Sequence, residues 1–149
     1  MDMPEPKLTI FDLDPKEIIY SWDEPGSDRH FHWAITRLEN FLKKSDCEIL
    51  AIPIEKKFAV TMVELRGLEY HRMARIPEDV KIWTPIIILH MPDNTHLIVD
   101  GNHRYYKAYC LNVKHIVGVV VEQEIWADYL VDLLIEYKGN SNEGFSGIL

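Results

Sequence analysis

The segment from Pro85 to Val121 constrains the fold more than any other part of the chain. Pro85 to His90 (PIIILH) is short and almost wholly apolar, a pattern that suits a strand covered on both faces. Pro92-Asp93-Asn94 supplies a turn and His96 to Val99 a second strand, so the two should form a hairpin. Gly101 then opens a helix over Asn102 to Leu111, and Ile116 to Val121 is a β-branched strand. Together these predict an α+β fold: a small mixed β-sheet with helices packed on it.

The flanking segments add further elements. Leu8 to Leu13 reads as a short strand or extended entry. Asp14-Pro15-Lys16-Glu17 resembles a helix start, with Asp14 as cap, Pro15 at the first position and Glu17 reaching back. Ser21 to Ser27, with Pro25-Gly26, reads as a loop. Phe31, Ala34, Ile35, Leu38, Phe41 and Leu42 recur at helical spacing and predict a helix over about Asp28 to Lys44. Ile49 to Ile54 and Phe58 to Leu65 have strand-like content. Arg66 to Trp83 reads as loop with broken helix. Glu124 to Tyr137 carries an apolar stripe of Trp126, Leu130, Leu133, Leu134 and Tyr137 and predicts a final helix. Gly139 to Leu149, rich in Gly, Ser and Asn, is expected to be mobile.

The chain has 149 residues and 47% hydrophobic content, enough for one domain with a real core. Its formal charge of −8 disfavours a phosphate-tracking grip on DNA or RNA and docking on anionic membranes. No apolar run is long enough to span a bilayer. Met1 to Lys7 does not read as a signal peptide. Cys47 and Cys110 fit no CxxC pattern and read as reduced thiols, so the expected location is cytoplasmic. The charge is unevenly placed. Gly101 to Val121 holds no acid while Arg104, Lys107 and Lys114 give +3, and the excess negative charge sits mostly from Glu122 onward.

That uneven charge directs attention to Leu97-Ile-Val-Asp-Gly-Asn-His-Arg-Tyr-Tyr-Lys-Ala-Tyr. Gly101 permits an unusual backbone angle and close approach by a ligand. The first N–H groups of a helix point out unpaired at the positive end of its dipole. Arg104 in that first turn can add a forked, charge-assisted contact. The constellation suits phosphate. It is also the pattern of a plain turn with Asp100 as helix cap and Arg104 on the surface.

The string Asp100-Gly101-Asn102-His103-Arg104-Tyr105-Tyr106-Lys107-Ala108 follows Thr84-Pro85-Ile86-Ile87-Ile88 and precedes the Ile116 to Val121 strand. In this order it resembles the ParB/sulfiredoxin superfamily. The resemblance implies a core over 58–121, an added N-terminal helical segment over 1–57 and a C-terminal helix over 122–138. It also implies nucleotide phosphates (ATP, ADP or CTP) cradled by Gly101, Asn102, His103 and Arg104, with Arg104 as principal side-chain contact. Hydrolysis or transfer of a nucleotide phosphate with Mg²⁺ would follow. The alternatives are an acidic interaction or inhibitor protein on the same scaffold, and a ParB-like nuclease.

Several departures narrow that reading. Asn102 stands where sulfiredoxin needs cysteine, and Cys110 lies a helix length further on. The tail after Val121 is short and acidic, which disfavours a DNA-segregation role. The nearest local pattern is the Asp-Gly-His-His-Arg of free-serine kinases, whose base is an upstream glutamate; Glu64 and Glu69 are the candidates by spacing. Asp100 could hold Mg²⁺ beside the phosphates or simply cap the helix. His103 could act as acid or base, or pack at the turn. His30 and His32, two apart on an expected helix, would not share a face. Lys56, Lys57, Arg66, His71, Arg72 and Arg75 could extend an anion site or form a solvated surface. Glu124, Asp128, Asp132 and Glu136, four apart, would make an acidic ridge able to dock a protein partner.

Overall fold

The structure is a computed structural model describing residues 2–134. In chain order it contains β1 (Leu8–Thr9), β2 (Ile19–Asp23), β3 (His30–Ala34), α1 (Ile35–Lys44), β4 (Leu50–Pro53), α2 (Lys56–Arg66) and α3 (Tyr70–Arg75). There follow β5 (Ile86–His90), β6 (His96–Asp100), α4 (Asn102–Cys110), β7 (His115–Val121), α5 (Gln123–Trp126) and β8 (Val131–Asp132). Single 3-10 turns cover Ile10–Asp12, Val80–Ile82 and Ala127–Tyr129.

The main sheet has strand order β4-β7-β5-β6. Its central pair, β5 and β7, is parallel, and both outer pairs are antiparallel. This is the mixed sheet expected of an α+β protein. The apolar run Ile86 to Leu89 is buried because it feeds two cores at once. Ile87 and Leu89 pack with Trp33, Leu38 and Trp126 on one face. Ile86 and Ile88 pack with Ala59, Trp83, Tyr105 and Ala108 on the other. A strand covered on both faces has no position for a polar residue. The sheet also draws β4 from before residue 58, so its edge strand comes from the segment expected to be an added extension.

The predicted helix over Asp28 to Lys44 forms only from Ile35 to Lys44, as α1. Residues His30–Ala34 form a strand, paired with β2 so that Tyr20 faces Trp33 and Trp22 faces Phe31. Period-two alternation in His-Phe-His-Trp and the Pro25-Gly26 turn, where Gly26 has φ 77°, favour a hairpin. The predicted loop over Ser21 to Ser27 is therefore β-strand as far as Asp23. His30 and His32 do share a face on this strand, but each is engaged separately, His30 with Asp23 and His32 with Ser21.

The predicted helix start at Asp14 is a turn, in which the Glu17 N–H donates to the Asp14 carbonyl. Glu17 nevertheless caps a helix. Its Oε2 accepts the Thr36 and Arg37 N–H groups at the start of α1, at 2.6 and 3.2 Å. Likewise, the strand predicted over Leu8 to Leu13 is limited to β1 and turns at Ile10.

Phe58 to Leu65 is helix rather than strand. Ala59 and Met62, three apart, pack into the core on the sheet's second face, and Gly67 ends α2 in the left-handed conformation. Val60, Thr61 and Val63 gave the segment its strand-like composition without deciding it, since packing overrides propensity. The Arg66 to Trp83 stretch is broken helix, as expected.

The predicted final helix over Glu124 to Tyr137 does not form in the described residues. It stops at Trp126, passes through one 3-10 turn, and becomes extended at Leu130. The Leu130 carbonyl accepts the Leu8 N–H, and β8 pairs in parallel with β1. Leu130 and Val131 are buried, but Leu134 is exposed. Glu124, Asp128 and Asp132 are exposed on three different elements, and Asp128 pairs with Lys7 at 2.5 Å. They do not form one helical ridge. Glu136, Tyr137 and the 139–149 tail lie outside the described residues.

Candidate functional site

The junction of β6 and α4 is built around Gly101. Its φ of 106° places it in the region that glycine favours. A Cβ there would stand 2.2 Å from Ile86 Cγ2 and 2.7 Å from Ile86 Cβ. The glycine is therefore demanded by contact with β5, before any ligand is considered. No side chain caps α4 among the described residues, so its first-turn N–H groups remain open.

Those groups border a pocket of about 310 Å³ lined by Asp100, Gly101, Asn102, His103 and Arg104, with Arg72, Arg75 and Ile76 on its far wall. The structure thus brings together the expected phosphate-binding residues, but redistributes their roles. The Arg104 side chain is only 15% exposed. Its guanidinium donates to Asp100 Oδ2 at 3.0 Å, to Thr84 Oγ1 at 2.8 Å and to the Thr84 carbonyl. It ties α4 to the approach of β5. Lys107 is also used internally, donating to the Met73 and Ile76 carbonyls at the end of α3. Asn102 Nδ2 donates to the Ile98 carbonyl at 3.2 Å.

His103 Nε2 accepts the Glu69 backbone N–H at 3.1 Å. With Nε2 as acceptor the proton of the neutral ring is assigned to Nδ1. Burial, and then the nearby Arg72 charge, hold the His103 pKa below the ordinary histidine value. The ring is thus neutral at pH 7, a donor at Nδ1 and already committed at Nε2.

Glu69 lies beside the site through that backbone contact, and its carboxylate faces His71 at 3.2 Å. Glu64 does not line the pocket. Asp100 shares one oxygen with Arg104, and no group of three or more His, Cys, Asp or Glu is placed to hold a metal among the described residues. One carboxylate already bound to a guanidinium is not a preformed magnesium site. Arg72 and Arg75 are the residues that the sequence left ambiguous. The signal for them is helical: three apart on α3, they sit on adjoining turns of one face.

A larger cavity of about 700 Å³ lies on the other side of Asn102, which borders both spaces. Comparison with known proteins finds no family model that matches the chain, and no similar curated protein or solved structure. No helix among the described residues is long and apolar enough to cross a membrane.

Proposed function

We propose that this chain binds the phosphate groups of a nucleotide at the start of α4, in the manner of ParB/sulfiredoxin-type proteins. The observation that carries the reading is the pocket in which the uncapped N-terminus of α4 meets Arg72 and Arg75. Backbone N–H groups, a helix dipole and two guanidinium groups on one small space are the chemistry that recognises phosphate. His103 contributes a neutral donor at Nδ1 rather than a general base. Arg104 acts as the brace that holds the turn. Glu69 is the better placed of the two candidate bases for phosphate hydrolysis or transfer. Any Mg²⁺ would arrive with the phosphates, because the residues present do not form a cage for it.

The test is calorimetric titration with pyrophosphate, ATP, ADP and CTP, each with and without Mg²⁺. Arg75→Ala and Arg72→Ala should each weaken binding by about 1.5–3 kcal/mol, the scale of a hydrogen bond to a charged group. Their melting temperatures should stay unchanged. A saturating ligand at 100 times its Kd should add about 2.7 kcal/mol of stability. Absence of stabilisation by all four compounds would reject the assignment.

A further inference from the structure

The larger cavity has a different chemistry from the phosphate pocket. It lies between the second face of the sheet, α2 and the β2–β3 hairpin, and its floor includes Ile88 and Val120. Phe58 and Met62 reach it from α2, and Trp22 from the hairpin. At about 700 Å³ it is within the size range of small-molecule sites and far larger than a water-sized void.

Its charge is the informative feature. Among its lining residues there is no Lys or Arg, but there are two carboxylates, Asp23 and Glu55, from separate elements. His96 is the only histidine that lines it. Asp23 is bonded to His30 at 2.5 Å, whereas the Glu55 carboxylate has no ion-pair partner among the described residues. Tyr105 is occupied, donating to the Pro53 carbonyl and accepting the Glu55 N–H. Aromatic faces attract cations, and the Phe58 ring already carries Lys57 Nζ at 5.2 Å from its centroid. Among the lining residues themselves an anion would meet two carboxylates and no lysine or arginine.

We infer that this cavity is a binding site for a small apolar amine: a ring or short alkyl body seated on the sheet, with its ammonium group at the solvent-exposed rim, where Glu55 and Asp23 stand. The inference is independent of phosphate binding.

The experiment compares three probes of matched size: phenethylamine, 2-phenylethanol and 3-phenylpropanoate. Binding to the full chain is followed by amide and indole NMR shifts. Phenethylamine should bind at least about tenfold more tightly than 3-phenylpropanoate, with the alcohol between them. Shifts should centre on Trp22 and Ile98 and leave Arg75 unmoved. The Asp23→Asn, Glu55→Gln pair should bring the three affinities to within about threefold of one another. Thr61→Trp, a change at an exposed position of α2 that lines the cavity, should abolish probe binding while the fold and any pyrophosphate binding persist. Equal affinity for amine and carboxylate, shifts centred elsewhere, or no binding of phenethylamine would overturn the proposal.

Discussion

Gly101→Ala tests the reading of the β6–α4 junction most directly. Two separate costs are expected. Alanine at φ 106° leaves the allowed regions for L-residues, a strain of about 1–3 kcal/mol. The added methyl would overlap Ile86 Cγ2 and Cβ, at 2.2 and 2.7 Å, and relief requires movement of a buried strand. Overpacking of this kind costs about 1–3 kcal/mol. The sum is about 2–6 kcal/mol, a large part of the stability of an ordinary domain. Urea unfolding by tryptophan fluorescence measures it, with the midpoint falling and the slope unchanged. Ile86→Ala separates the parts: it removes Cγ2 but keeps Cβ, so the double variant should recover about 1–2 kcal/mol of coupling. The φ contribution should remain. A loss below about 1 kcal/mol for Gly101→Ala, or strict additivity with Ile86→Ala, would refute the packing argument.

Arg104→Ala should destabilise by about 1–3 kcal/mol, because it strands Asp100 and the Thr84 carbonyl, and urea melts should show this before any ligand is added. Glu17→Ala should cost about 0.5–2 kcal/mol through loss of the cap on α1, with Glu17→Gln costing less, as read by thermal unfolding. His90 and His103 should give stability opposite pH dependences between about pH 5 and 8. Hydrogen bonds to Glu122 and then Asn94 raise His90 above its ordinary 6.5, so its contribution is full below 6.5 and is lost as pH rises through the folded value. His103 is depressed by burial, so its contribution is full above 6.5 and is lost as pH falls through the folded value. His90→Gln should therefore flatten the alkaline side of the stability profile and His103→Asn the acidic side.

The segments that could be read from sequence are those whose pattern is set by burial. Ile86 to Leu89 has only one environment in which four consecutive apolar residues are stable, and Gly101 followed by Asn102-His103-Arg104 has few alternatives to a turn and a helix. The segments misread were decided by distant partners. Leu130 fits a helical stripe as well as an extended segment, and pairing of the following Val131 and Asp132 with Leu8 and Thr9 chose the strand. Phe31 fits both periods, but Trp33 fits only the period of two, which pairing with Tyr20 and Trp22 across the hairpin selected. At the site, residue types near the turn were legible but their roles were not. Nothing local distinguishes an arginine that faces a ligand from one that binds Thr84 and Asp100. The contribution of Arg72 and Arg75 depends on how α3 is docked, which Lys107 fixes from another element.

The packing of Trp33 sets an order on assembly. This indole is fully buried, edge-on to Trp126 with ring centroids 5.9 Å apart, and its backbone bridges to Leu130. Its hairpin is translated early, but those partners are translated only after β7. During synthesis the nascent chain therefore carries the 19–34 segment, at best marginally stable as a lone hairpin, without these partners of Trp33 until the region around α5 leaves the ribosome. Closing so long a loop is also slow compared with forming the hairpin itself. The first core is finished last, and through that interval the hairpin is the surface that a chaperone, or a second nascent chain, would meet.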